Sequence, residues 1–137
     1  MQKPVPVDEE FSFEGRAIVS ETDLEGVITF VNRKFCEISG YSAEELLGQP
    51  HNILRHPDMP KTVFTEMWKT LQAGITAHLV IKNLRKDGKF FWVDTQISPI
   101  YNEDNTVIGY IAARKPVPSK NIQEKAEAYK KLIDQES

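Results

Sequence analysis

The chain has 137 residues, 40% of them hydrophobic, and its 17 basic and 20 acidic side chains leave a formal charge of −3; this suits one folded domain and excludes wholesale disorder. The acidic balance disfavours a phosphate backbone as partner, so no nucleic-acid binding is expected. One cysteine, Cys36, excludes an internal disulfide and an all-thiolate zinc site, and no apolar run approaches the roughly 20 residues that span a bilayer, so a soluble, cytoplasmic domain without direct membrane insertion is the expectation.

Residues 1–15 hold two prolines and an acidic triplet and read as an extended lead-in. Ala17 to Ser20 reads as a strand, Asp23 to Gly26 as a turn, and the β-branched Val27 to Val31 as a second strand, so the pair forms a hairpin. Asn32 to Ser39 predicts a short helix. Ser42 with Glu45 three residues on is a capping box opening another. Val63, Phe64, Met67, Trp68 and Leu71 share one face of a longer helix closed by Gly74. Thr76 to Leu84 and Lys89 to Pro99 flank an Asp87-Gly88 turn and predict a long hairpin. Val107 to Ala113 is a fifth strand, after which Pro116 and Pro118 are expected to stop it and open a linker. Ser119 is the expected cap of a last helix running to about Gln135. Strands in runs with the helices grouped between strands 2 and 3 predict an α+β fold: a five-stranded antiparallel sheet plus a C-terminal helix.

The stretch Thr22 to Asn32, the run Ile38-Ser39-Gly40-Tyr41-Ser42, Glu45 to Gly48, Lys86-Asp87-Gly88, Phe91-Trp92-Val93 and Ser98-Pro99-Ile100 resemble a PAS domain. On that resemblance residues 16–114 form the sensor and residues 115–137 a proline-containing linker with a signalling or dimerisation helix. The string Gly48 to Pro60, with Arg55-His56-Pro57-Asp58-Met59-Pro60 at its end, is similar to the PAS domain of bacterial aerotaxis and energy-taxis receptors. Lys82-Asn83 before Leu84 fits the same subgroup. The resemblance implies a redox sensor that holds FAD non-covalently and informs a chemotaxis output.

A flavin edge asks for groups that both donate and accept, which side-chain amides supply. Asn32, Asn83 and Gln96 are the amides on the relevant elements; Asn32 is equally a helix N-cap. Phe64, Trp68 and Trp92 are candidates to wall the ligand, and also core residues in their own right. Arg55 suits a phosphate, His56 the ligand or its loop, and Asp58 the orientation of Arg55; alternatively Arg55 and Asp58 form a self-contained pair.

Two departures stand against the subgroup. Its Pro-Trp pair at the start of the third strand is Thr76-Ala77 here. The position of a light-sensing cysteine is taken by His51, and Cys36 lies in another helix, where it reads as a small buried hydrophobe. His51, His56 and His78 leave a haem or gas-sensing domain as one alternative, and a cofactor-free docking module is another. Companion carboxylates at ligand spacing are missing, so no metal site is expected, and no catalytic motif is present, so no enzyme activity is expected.

Ile122, Ala126, Tyr129 and Ile133 form a two-heptad apolar seam. It serves a homodimer or a connector, or folds back on its own domain. The expected partner is a covalently linked output domain or a separate membrane-bound chemotaxis transducer.

Overall fold

The computed structural model describes residues 3–15 and 17–136. Arg16 and Ser137, boundary residues of the expected segments, lie outside them. Strands β1 (Ile18–Thr22) and β2 (Ile28–Val31) pair antiparallel. Asp23 makes their turn: its Oδ1 accepts the N–H groups of Glu25 and Val27 at 2.9 and 3.0 Å. Helices α1 (Arg33–Ser39) and α2 (Ala43–Leu46) follow, then a 3₁₀ turn over His51–Leu54 and helix α3 (Lys61–Gln72). The capping box of Ser42 and Glu45 forms as expected. Strands β3 (Ala77–Leu84), β4 (Phe90–Tyr101) and β5 (Val107–Pro116) complete an antiparallel sheet in the order β2-β1-β5-β4-β3. The fold is therefore α+β, with three helices between β2 and β3.

Strand alternation gives the sheet two unlike faces. Ile18, Ala77, Ile81, Phe91 and Val93 turn inward and pack with Phe35, Leu46, Leu54, Met67 and Leu71 from the helical layer. Each of the larger of these side chains contributes about 1.5–3 kcal/mol by leaving water. The outer face is covered on the β3–β4 side by helix α4 (Gln123–Glu136). There Tyr129 stacks on Trp92 at 6.1 Å between ring centroids and 23° between planes. The seam of Ile122, Ala126 and Tyr129 thus folds back onto its own domain.

Both sheet edges are partly covered, which shortens the row of unpaired backbone groups that invites strand addition. Along β2, Ile28 N–H donates to Gln49 O at 2.9 Å and His51 N–H to Gly26 O at 2.8 Å. Along β3, Lys82 N–H donates to Met59 Sδ at 3.3 Å and the Tyr129 hydroxyl to Val80 O at 2.6 Å.

Two expectations about the end of β5 need correction. The strand does not stop before the prolines: Pro116 takes its last position, opposite Val93, where no further ladder donor is needed. Val117 N–H then donates to Trp92 O at 3.0 Å. Ser119 does not cap the last helix. Its N–H and hydroxyl donate to the two carboxylate oxygens of Glu10 at 3.0 and 2.9 Å, and α4 starts after a 3₁₀ turn at Gln123. The described part of the lead-in runs extended along the sheet: Val7 N–H donates to Gly88 O at 2.9 Å, and Glu10 is bridged in parallel to Phe90.

Candidate functional site

Asn83 occupies the inner face of β3, opposite Phe91, and is only 5% exposed. Buried amides are normally hydrogen-bonded, yet none of the side-chain hydrogen bonds among the described residues uses this one. An isolated antiparallel bridge ties Asn83 to Arg55. The Arg55 guanidinium lies 3.7 Å above the Phe64 ring, and its buried Nε has no hydrogen-bond partner. Burial holds its pKa below the usual guanidinium range.

Trp68, on the α3 face that meets the sheet, stands edge-on to Tyr110 at 5.3 Å and to His51 at 5.4 Å. His51 has its pKa pushed down to about 4, first by burial and then by the charges of Arg55 and Arg114. Its closeness to Gly26 explains that glycine: φ is +83°, and an added Cβ would come within 2.7 Å of the His51 ring. Arg114 enters from β5, where burial lowers its pKa to about 10. Its Nη1 donates to Ser20 Oγ at 3.1 Å, and its guanidinium lies 5.2 Å from the Phe35 ring. Thr95, directly across the ladder from Arg114, is fully buried and its Oγ1 has no partner.

The helix–sheet layer therefore holds two part-buried guanidiniums, a neutral imidazole, an amide and an orphaned hydroxyl beside the rings of Phe35, Phe64, Trp68 and Tyr110. Among the described residues neither Arg55 nor Arg114 has a carboxylate within 4 Å. Buried charge without a counter-charge is costly, so the arrangement suits a planar polar ligand that carries negative charge.

The other candidates from the sequence lie elsewhere. Asn32 is the N-cap of α1: its Oδ1 accepts from Phe35 N–H at 2.9 Å and Val19 N–H at 3.1 Å, while Nδ2 donates to Ala17 O at 3.1 Å. Alternation along β4 turns Trp92 and Gln96 to the outer face, away from Asn83. Trp92 packs under α4, and Gln96 is exposed. His56 is buried edge-on to Phe90 at 6.4 Å, and its Nδ1 accepts the Asp58 N–H at 3.0 Å. An accepting Nδ1 implies a neutral ring, in line with a pKa that burial, followed by Lys82, pushes down to about 4. Asp58 does not meet the Arg55 side chain as an ion pair; it takes the Lys82 ammonium at 2.8 Å instead. Cys36 is part-buried in α1, and burial pushes its thiol up.

Reading the sequence for a site passed over Ser20, Thr95, Tyr110 and Arg114. Each is a single polar or aromatic residue in a strand, and only the register of β5 against both neighbours reveals which face it joins. Among the described residues no group of three or more His, Cys, Asp or Glu side chains is placed to hold a metal ion. No helix among them is long and apolar enough to cross a membrane.

The sheet order, the helices grouped over one face and this polar interior define a sensory-domain architecture. The chain belongs to the PAS-fold family, whose pattern matches residues 28–114. It is 41% identical over 115 residues, 84% of its length, to the aerotaxis receptor of Escherichia coli (strain K12). It is 31% identical over 107 residues, 78% of its length, to a blue-light photoreceptor of Listeria monocytogenes. It covers only 22% and 42% of those two proteins. Among solved structures, a light-oxygen-voltage domain studied with a flavin analogue superposes with a TM-score of 0.71 at 23% identity, over 88% of this chain and 89% of that one. The PAS domain of a protein from Colwellia psychrerythraea superposes with a TM-score of 0.68 at 28% identity, over 74% and 86%.

Proposed function

We propose that this chain is a redox-sensing PAS domain that holds FAD non-covalently in the helix–sheet layer and informs a chemotaxis output. The observation that carries the reading is the interior polar set: the buried Asn83 amide, with the partnerless Arg55 Nε and Thr95 hydroxyl and the positive charge of Arg55 and Arg114 beside it. A flavin presents donors and acceptors along one ring edge and a phosphate-bearing tail. Asn83 is the residue for the ring edge, Phe64 and Trp68 for its apolar surroundings, and Arg55 for the phosphates. A flavin supplies reversible uptake of electrons; the chain's residues supply binding, orientation and a dry, positive surrounding. The relatives support the same class, since one is an aerotaxis receptor and a structural neighbour was studied with a flavin analogue.

The relatives are longer proteins, of which this chain spans a minor part, so the output is a linked domain or a separate membrane-bound transducer. A cytoplasmic location follows from that role.

The test is the absorption spectrum of the protein as expressed, with acid release and chromatography of any chromophore. A flavin spectrum with FAD released is the expected result, together with loss of flavin from a folded Asn83→Ala variant. Release of FMN corrects the cofactor. A Soret band, or a protein still colourless after incubation with FAD, overturns the reading.

A further inference from the structure

A cavity of about 330 Å³ lies on the opposite face of the sheet, between β3–β4 and α4. Its apolar walls are Trp92, Tyr129 and Ile133, and Asp58, Lys82 and Lys130 mark its mouth. From this we infer a second ligand site, separate from the flavin layer, for a small aromatic carboxylate.

Size sets the first limit. The volume is at the low end of ligand pockets, so one or two fused rings fit and a dinucleotide does not. The walls set the second. Trp92, Ala126, Tyr129 and Ile133 line it with apolar groups, which suits an apolar ring body.

Charge sets the third. Lys82 is already committed: its ammonium holds Asp58 at 2.8 Å and lies 4.4 Å from the Phe90 ring centroid. Lys130 is exposed and makes no ion pair within 4 Å among the described residues, and its charge acts on Asp58 at the same mouth. Among the residues that line the cavity, two ammonium groups face one carboxylate, a balance that a monoanion matches.

The consequence is regulatory. The cavity has one wall on the sheet and another on α4, so a ligand filling it binds only while α4 is docked. It shifts the docking equilibrium by its full differential affinity.

The experiment titrates the full chain with 2-naphthoate and follows ¹⁵N–¹H spectra and Tm. Saturable shifts at the Trp92 indole and the Lys130 amide are expected, with a rise in Tm that excess FAD does not remove. Lys130→Gln weakens binding about fivefold, as loss of one exposed ion pair of about 1 kcal/mol requires. Ile133→Trp fills the cavity and abolishes binding; its native-like spectrum separates blocked binding from unfolding. If that variant fails to fold, intermolecular NOEs from 2-naphthoate to the Trp92 ring and the Ile133 methyl groups of the wild type decide the site, and NOEs to neither residue overturn it. Equal affinity for neutral 2-naphthamide, shifts confined to Asn83 and Trp68, or no saturable shift would each overturn the proposal.

Discussion

Glu136 closes the N-terminus of α3 from the far end of α4: its Oε2 accepts the amide and the hydroxyl of Thr62 at 3.1 and 2.6 Å. Its Oε1 takes the Lys61 N–H at 2.9 Å. Helix α3 starts after Pro60, which has no side chain to offer as a cap. A carboxylate is the best substitute, because it meets both the free N–H groups and the positive end of the helix dipole. The cap therefore joins the helix that carries Phe64 and Trp68 to the helix that covers the outer face.

These hydrogen bonds hold the Glu136 carboxyl below its usual pKa. The lowered folded value means that its stabilisation is present above the unfolded value and is lost as pH falls through the folded one. Glu136→Ala should lower Tm at pH 7 and expose α4 to limited proteolysis. The gap between variant and wild type should close as pH falls below about 4. An equal gap at pH 7 and pH 3 would mean that the carboxylate does not act through its charge.

Tyr129→Phe isolates a single hydrogen bond. The ring and its stacking on Trp92 remain, and only the hydroxyl bond to Val80 O is lost. The expected cost is about 1 kcal/mol in urea unfolding, with little change in slope. Burial pushes the wild-type hydroxyl up to about 12. Its contribution is present in full below the unfolded value near 10 and is lost as pH rises toward 12. Spectrophotometric titration should show one fewer late-ionising tyrosine in the variant than in wild type, the one that remains being Tyr41, whose hydroxyl burial also pushes up.

Much of this architecture was legible because local chemistry and global fold agree. Asp23-Leu24-Glu25-Gly26 demands a turn, Ser42 with Glu45 demands a cap, and Asp87-Gly88 demands a hairpin, and each forms. The positions that local sequence leaves undecided are those whose partners are distant in sequence. Ser119 has the chemistry of a cap, but Glu10, 109 residues away, claims both its donors. Asn32 has a ligand's chemistry and a cap's position, and its backbone partners Val19 and Ala17 lie in β1 and just before it. Trp92 and Gln96 share a strand with Phe91, yet the face each residue takes follows from register alone.

His51 predicts an acid sensitivity inside the fold. Its folded pKa of about 4 lies below the ordinary 6.5, so the unfolded chain takes up the proton first. Stability is then full above about 6.5 and declines as pH falls toward 4. The cause is burial, reinforced by the cations of Arg55 and Arg114. His56 adds to the same decline. His51→Gln should recover on the order of 2 kcal/mol of the stability lost between pH 7 and pH 4.5. Urea titrations of both proteins at the two pH values check this. A decline that is unchanged in the variant would place the sensitivity elsewhere.

Thr95→Val separates the ligand reading from simple core packing. The hydroxyl is fully buried without a partner, so its replacement by a methyl group of similar shape removes a desolvation penalty. The flavin-free variant should gain about 1 kcal/mol in urea unfolding. Should the hydroxyl meet the proposed flavin, the same variant retains less flavin than wild type while folding better. Packing alone offers no reason for stability and flavin retention to move in opposite directions. A flavin-free variant that is less stable than wild type would show that the Thr95 hydroxyl is bonded in solution, and Thr95 would leave the proposed site.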